Sequence, residues 1–177
     1  MGGTASEQDI KAVTVAQGKL SKAPLYIVDR PGITTRQLAG LARRVIKEHG
    51  IKLLIVAYLG LLQTGERNRS RYETITDISN DLKRLALELR LPVIAMCQLN
   101  RDNDREGRAP RMSDLRDSGA IEQDADIVGL LHWDDAQKGD AQSIALFIAK
   151  NRQGRIGKID LVFHRNFTRF HSAGFGE

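Results

Sequence analysis

Two cations in the last third of the chain have a spacing that suits charge neutralisation. Lys150 and Arg152 stand two residues apart at the end of the apolar run Ser143–Ala149, so their side chains point to the same side of a strand. Two cations at the rim of a sheet can reach an anionic group on a neighbouring subunit and neutralise charge on a transferred phosphoryl group. Taken singly, the two residues also fit an ordinary solvated face.

A glutamine ends another apolar run. Gln98 directly follows Leu91–Cys97, and ligands of open α/β sheets bind beyond the carboxyl ends of the strands. An amide at this point can contact a phosphate or an attacking water. As an isolated residue, Gln98 also fits a polar cap on a strand end.

A third apolar run, Lys52–Leu62, lacks a residue that metal chemistry would need. In many nucleotide hydrolases an acidic residue at the end of such a strand holds the water shell of Mg²⁺. Here that position is Ala57, which offers no oxygen ligand. The four histidines have no ligand-like spacing, so we expect no zinc site either.

Two polar loops carry most of the arginines that could meet a nucleic acid. The first holds Arg67, Arg69 and Arg71, and the second holds Arg101, Arg105, Arg108 and Arg111. Phosphate contacts by such loops would be independent of base sequence and sensitive to salt. Acidic residues are interleaved in both loops, so mobile solvated loops would look the same. Few aromatic residues accompany the arginines, so base stacking is not indicated.

Strands and helices alternate in the first half of the chain and position these residues. The strands are predicted at Leu25–Val28, Lys52–Leu62 and Leu91–Cys97, with the central one buried on both faces. Helices are predicted from Thr34 or Thr35 to Gly50 and over Tyr72–Arg90. This βαβ order predicts a parallel sheet with right-handed crossovers.

The second half of the chain predicts a different kind of sheet. A short helical or irregular piece, Ser113–Gln123, precedes several strands in succession. These strands are predicted at Ile127–His132, Ser143–Ala149 and Lys158–Phe163, with a glycine-bearing hairpin and an edge at Phe167–His171. We expect them to be antiparallel and added at one edge. Residues 1–22 are predicted to be a polar lead-in to a domain over residues 23–177.

Composition limits the class of protein. With 177 residues, 41% of them apolar, the chain is long enough for one domain with a real core. A net charge of +5 is compatible with a nucleic acid partner and also with simple solubility. The single cysteine, Cys97, excludes a disulfide framework and fits a reducing cytosol. No apolar run reaches the ~18 residues of a membrane span, and no basic segment is followed by an apolar one, so we expect no signal peptide.

The segment Met112–Asp126 resembles the motif of the DnaB-type hexameric replicative DNA helicases. Gln98–Arg101 and Lys150–Arg152 lie at that family's spacing on either side. Leu54–Leu61 resembles its Walker B strand, and Pro31–Thr34 resembles the turn before the following helix. Several motifs in this order are far more specific than any one of them alone.

The resemblance extends from about residue 23 to residue 170 and implies a RecA-like fold of the P-loop NTPase type. It further implies a homo-hexamer with ATP and Mg²⁺ between subunits and single-stranded DNA in a central channel. The intact family couples ATP hydrolysis to 5′–3′ translocation and duplex unwinding, with primase and a loader as possible partners. The resemblance places the protein in the cytoplasm, encoded by a bacterium or a phage.

Individual roles follow from the same resemblance. Gln98 resembles the residue that senses the γ-phosphate, and Lys150 and Arg152 resemble cations given in trans to the neighbour's nucleotide. Three residues, Arg116, Asp117 and Gly119, resemble a loop that follows the DNA backbone.

The chain departs from the family in two places. No G-x-x-x-x-G-K-[ST] phosphate loop occurs in it, and the family has Asp where Ala57 stands and commonly Gln at Gly60. We therefore expect the C-terminal part of a motor domain, without its nucleotide cradle, that does not hydrolyse ATP alone. Two alternatives stay open: a non-enzymatic module that binds single-stranded DNA or an intact helicase, and another RecA-like ATPase of the recombinase type.

Overall fold

The computed structural model describes residues 6–65, 69–99, 108–115, 119–133 and 139–174. Among these residues, no helix is both long enough and apolar enough to cross a membrane. The helices are α1 (Glu7–Leu20), α2 (Thr35–His49), α3 (Arg71–Leu89) and α4 (Gly119–Asp124). The strands are β1 (Leu54–Val56), β2 (Val93–Ala95), β3 (Ile127–Trp133), β4 (Ala141–Asn151), β5 (Gly157–His164) and β6 (Arg169–Ser172).

Short polar signals in the sequence set the ends of the long helices. Thr34 caps α2 and Ser70 caps α3, each within a reciprocal capping box, which satisfies backbone donors that have no partner in the first turn. Gly50 ends α2 with φ at +62°, a conformation that glycine adopts without penalty. The two predicted helices are confirmed to within a residue or two.

Helix α1 lies where a polar lead-in was expected. Its N-cap, Ser6, forms a capping box with Asp9, but none of the residues of the helix is buried. Local capping therefore forms this helix without a core to support it. The predicted boundary at residue 22 stays a prediction.

Strands β1 and β2 form a two-stranded parallel sheet. One face of it packs against α3, where the buried side chains belong to one cluster: Val56, Leu59, Leu62, Ile75, Ile78 and Leu82. The apolar stripe predicted for α3 supplies half of this cluster. The core of the first half of the protein therefore lies between α3 and one face of this sheet.

The opposite face of the parallel sheet corrects the prediction of a strand buried on both faces. Ile55 and Ile94 lie side by side in the register and are 52% and 50% exposed. These exposures show that the second face of the sheet is uncovered within the described part of the chain. The predicted strand at Leu25–Val28 is also wrong, because this segment is irregular and its large apolar side chains are exposed.

The late strands confirm the antiparallel prediction, and they form a sheet of their own. Its order is β3-β4-β5-β6, and every neighbouring pair is antiparallel. Val128 and Leu130 of β3 are buried with Leu115 in a second apolar cluster. Cys97 and Ile121 pack against both clusters, and so they join the two halves of the core.

Paired isoleucine-to-alanine variants test this division into covered and uncovered faces. Ile78→Ala removes a side chain with 0% exposure, so we expect it to lower the free energy of unfolding by about 2–5 kcal/mol. Ile94→Ala removes the same atoms from a half-exposed position and should cost about 1 kcal/mol or less. Urea denaturation followed by circular dichroism measures both. Equal losses in the two variants would contradict the assignment of the exposed face.

Candidate functional site

The carboxyl ends of β1 and β2 lie together, as expected for parallel strands. The Met96 amide donates to the Val56 carbonyl, and the Leu59 amide donates to the Met96 carbonyl, both at 2.9 Å. Ala57 and Gln98 follow these strands at the same edge and are exposed. An isolated antiparallel bridge joins Leu99 to Leu115. Gln98 therefore lies next to a residue that pairs with the Met112–Asp126 segment.

Magnesium does not fit this edge. Ala57 carries no side-chain oxygen, and nowhere in the described part of the chain do three or more His, Cys, Asp or Glu side chains group as a metal site requires. Hard cations such as Mg²⁺ need oxygen ligands. The described residues therefore supply no carboxylate anchor for the ion at the end of β1.

Lys150 and Arg152 meet the end of helix α4. The register between β3 and β4 shifts near Val128, which pairs with Lys150. The Lys150 Nζ donates to the carbonyls of Glu122 and Gln123, and the Arg152 Nη2 donates to the Gln123 carbonyl at 2.7 Å. The last carbonyls of a helix lack partners within the helix and carry partial negative charge, so they attract cations. The prediction that both side chains point the same way is confirmed.

Asp126 lies at the centre of the charges around this helix end. Its carboxylate accepts two hydrogen bonds from the Lys83 Nζ, at 2.7 and 2.8 Å, and lies 3.4 Å from the Arg152 guanidinium. The hydrogen bonds from Lys83 lower the pKa of Asp126, and the charges of Arg152 and Lys150 add to this effect. Asp126 therefore stays ionised well below neutral pH.

Helices α3 and α4 lie side by side and run in the same direction. The Ser79 hydroxyl of α3 donates to the Asp124 carboxylate at 2.7 Å. At the other end, a Cβ placed on Gly119 would come within 3.3 Å of the Tyr72 hydroxyl oxygen. The start of α4 therefore lies close to the start of α3, and the end of α4 lies at the cations.

This arrangement brings together parts of two of the three segments that are predicted to contact DNA. Arg71 begins α3 and Gly119 begins α4, and Arg69 precedes α3 in an ion pair with Asp77 at 2.9 Å. Five other predicted DNA-contacting residues lie outside the described residues: Arg67, Arg101, Arg105, Arg116 and Asp117.

Arg108 has a structural partner within the motif. Its guanidinium forms a bidentate pair with the Asp114 carboxylate at 2.7 and 2.8 Å, and the Arg111 amide donates to the same carboxylate at 2.6 Å. The Arg108 hydrogen bonds lower the pKa of Asp114 to about 2, with a further contribution from the Arg111 backbone. Bidentate pairs of this type fix geometry as well as charge, so Arg108 orders the start of the motif.

Sequence reasoning missed the acidic residues that hold the site together. Asp114 and Asp126 lie inside the Met112–Asp126 motif, but their spacing in the sequence predicts no partner for either carboxylate. Lys83 and Ser79 stand four residues apart on α3, on the side of the helix that meets α4. A search for polar residues at helical spacing would have found that pair, but not its partners.

An open depression lies between α4 and β4. Its lining includes the cation pair and both ends of α4: Met112, Gly119, Glu122, Gln123, Ala149, Lys150 and Arg152. Arg152 keeps 51% of its side chain exposed. A phosphate from another molecule could therefore approach the guanidinium without displacing any core residue.

Comparisons with known proteins agree with these motifs. Residues 1–172 match the family model described as DnaB-like helicase C terminal domain. The replicative DNA helicase DnaC of Bacillus subtilis (strain 168) is 39% identical over 173 residues, which cover 95% of this chain and 38% of that protein. The replicative DNA helicase DnaB of Treponema pallidum (strain Nichols) is 42% identical over 162 residues, covering 92% and 36%. The chain thus spans well under half the length of these curated relatives.

Solved structures show the same fold. The structure of a DnaB-like replicative helicase, described together with its interactions with primase, aligns with a TM-score of 0.85 at 34% identity, over 94% of this chain and 42% of that one. The ATPase domain of G40P aligns with a TM-score of 0.86 at 34% identity, over 95% of this chain and 61% of that one. The predicted fold class is thereby confirmed.

Asp114→Asn tests the Arg108 pair through its pH dependence. At neutral pH we expect the free energy of unfolding to fall by about 1.5–3 kcal/mol, because a charged hydrogen-bond acceptor is lost. The folded-state pKa lies below the ordinary value of 3.8, so the stabilisation is full above about pH 4 and is lost as the pH falls towards about 2.

Urea denaturation of the wild type and the variant at several pH values measures this difference. The gap between the two proteins should close between about pH 4 and pH 2. The exposed Asp160→Asn variant is the control. A gap that stays constant down to pH 2 would contradict the assigned role of Asp114.

Proposed function

Because this chain belongs to the DnaB-like helicase C-terminal domain family and corresponds to part of a replicative DNA helicase ATPase domain, we propose that it supplies two parts of the motor. The first is a pair of cations, Lys150 and Arg152, that reaches the nucleotide of a neighbouring subunit. The second is a set of loops that contacts single-stranded DNA. The observation that carries the proposal is the contact of both cations with α4, the helix that begins at the predicted DNA loop.

The whole motor is a homo-hexamer that couples ATP hydrolysis to 5′–3′ translocation on single-stranded DNA and to unwinding. Family membership supports this, and the structure described with primase supports a replication partner of that kind. Membership of a helicase family is also the observation against the recombinase-type alternative. We place the protein in the cytoplasm of a bacterium, encoded by the cell or by a phage.

Each residue has a defined task in this proposal. Lys150 and Arg152 lower the energy of negative charge on the neighbour's transferred phosphoryl group. Gln98, at the carboxyl edge of the parallel sheet, senses whether the γ-phosphate is present. Arg69, Arg71 and Gly119 contact the DNA backbone, together with the arginines that lie outside the described residues. ATP would supply the driving force in a motor that contains a phosphate-binding loop. The residues of this chain contact the nucleotide of the neighbouring subunit and the DNA, and they do not hold the metal.

The uncovered apolar faces fit a part of a larger domain. The matched ATPase domain of G40P is covered over 61% of its length, so that domain contains further chain. We propose that such chain covers Ile55, Ile94 and their neighbours in a complete motor, because parallel strands are normally buried on both faces.

A polypeptide of these 177 residues should not hydrolyse ATP, with or without single-stranded DNA. It contains neither a phosphate loop nor a carboxylate at Ala57. The Ala57→Asp variant should also be inactive, since restoring one metal anchor does not restore the cradle. Phosphate release in the presence of Mg²⁺ measures this, with an intact family helicase as the positive control.

The result that would contradict this expectation is turnover that requires Mg²⁺ and rises with single-stranded DNA. The double variant Lys150→Met, Arg152→Gln, purified in the same way, shows whether such turnover is contamination. Contaminating activity would be unchanged in that variant.

Single-stranded DNA should bind through phosphate contacts. We expect affinity for an oligonucleotide to fall steeply with salt and to vary little with base sequence. Arg71→Gln should lower the slope of log affinity against log salt by about 0.7, whereas Arg155→Gln in the β4–β5 turn is the charge-matched control. Fluorescence anisotropy over a range of salt concentrations measures both. An affinity that does not change with salt would refute the electrostatic contact.

A second candidate function rests on one contrast within the chain. The cation pair is retained while Ala57 replaces the metal-holding residue, so the chain could bind an intact helicase and impair its ring. In that case the wild type should inhibit an intact family helicase, and the Lys150→Met, Arg152→Gln variant should not. Inhibition by both would indicate competition for DNA instead.

A further inference from the structure

We propose that Asp126 is the positioning residue of the cation pair. By holding Arg152 and Lys83 it fixes the end of α4, so that the cations, α4 and the start of α3 move as one unit. The inference deepens the proposed function and depends on it for the DNA measurement below. The amide-exchange measurement is independent of that function.

Asp126 holds Arg152 at two points. Its carboxylate lies 3.4 Å from the guanidinium, and its carbonyl accepts a hydrogen bond from the Arg152 amide at 2.9 Å. The two residues are far apart in sequence but lie at the same end of the β3–β4 pair, where Asp126 directly precedes β3 and Arg152 directly follows β4. The backbone contact sets where β4 ends, and the carboxylate contact sets where the guanidinium points.

The same carboxylate connects Arg152 to helix α3. Lys83 of α3 donates to both of its oxygens, and only 25% of the Lys83 side chain is exposed. An isolated surface ion pair contributes little to stability. Asp126, however, is shared by two cations that come from different elements, so the loss of its carboxylate would remove a contact from each of them.

The contacts of Asp126 with Lys83 and Arg152 lie beside the C-terminal end of α4. Lys150 and Arg152 donate to the carbonyls of Glu122 and Gln123, and Ser79 holds Asp124. Removing Asp126 would leave Arg152 with a single anchor at Gln123. The direction of the guanidinium would then be set by one carbonyl instead of a carboxylate and a carbonyl.

The other end of α4 lies at the predicted DNA loop. The helix spans six residues, about 9 Å, and Gly119 at its start lies against Tyr72 of α3. A helix this short moves as a rigid body, so a shift at Gln123 is felt at Gly119. The position of Arg152 and the position of the DNA loop are therefore coupled through α4, with Asp126 as the fixed point.

Two aspartate-to-asparagine variants separate positioning from charge. Asp126→Asn and Asp160→Asn each remove one negative charge, and the two side chains are similarly exposed, 61% and 58%. Each aspartate pairs with a lysine at 2.7 Å, but Asp160 pairs with Lys158, on its own strand. Electrostatics alone predicts the same slight gain in DNA affinity for both variants.

Positioning predicts opposite results for the two variants. Asp126→Asn should speed hydrogen–deuterium exchange in peptides covering residues 119–126 and weaken single-stranded DNA binding, each by about threefold to tenfold. Asp160→Asn should leave exchange in those peptides unchanged. Equal exchange in the two variants, or an equal gain in DNA affinity, would overturn the proposal.

A second variant keeps the test decisive if Asp126→Asn destabilises the whole chain. Lys83→Met leaves Asp126 and Arg152 in place and removes the ion pair that joins Asp126 to α3. It should speed exchange in residues 119–126 while leaving α2 unchanged. Unchanged exchange in α4 would overturn the proposal.

A double-mutant cycle completes the test. If Asp126 acts through Arg152, the exchange effects of Asp126→Asn and Arg152→Gln should not add in the double variant. Additive effects would show that the two residues act separately and would overturn the proposal. If the wild type fails to bind single-stranded DNA at any salt concentration, the DNA-binding part of the proposed function fails, and the exchange results still decide the role of Asp126.

Discussion

The buried stripe of α3 is the contact on which the other elements depend. Ile75, Ile78 and Leu82 pack on the parallel sheet, and the polar edges of the same helix hold its neighbours. On one side, Asp81 accepts from Thr35, and Glu88 pairs with Arg43 of α2. On the other side, Ser79 binds Asp124 at the end of α4, and Lys83 binds Asp126, two residues beyond it. The helix thus buries one face for stability and uses its flanks to place the site.

The site itself is an arrangement of cations around a helix end. Lys150 and Arg152 would repel each other if they stood alone, and the α4 carbonyls together with Asp126 offset that repulsion. Because these partners are backbone groups and one shared carboxylate, the cations are held without being buried. An exposed but oriented guanidinium is what a contact with another molecule's phosphate requires.

The face of the parallel sheet that carries Ile55 and Ile94 is uncovered among the described residues. In the complete motor that we propose, further chain covers this face, because parallel strands are normally buried on both faces. Helices α2 and α3 still form, because their caps and buried stripe are local or lie on the covered face. The segment at Leu25–Val28 has neither support. It remains irregular, with Tyr26 stacked on His49 at 4.3 Å between ring centroids.

The sequence by itself determined the elements whose signals are local. Thr34, Ser70 and Gly50 set helix ends because capping acts within a few residues, and short runs of apolar residues indicated the late strands. Their order along the chain gave the antiparallel sheet, and the ordered motifs gave the family. Only the tertiary structure decided which strand faces are covered and what Lys150 and Arg152 touch. Pairing and burial depend on residues distant in sequence, and no periodicity within a segment records whether a partner is there. Asp126 illustrates the limit, since its partners at positions 83 and 152 come from two elements that only the fold brings together.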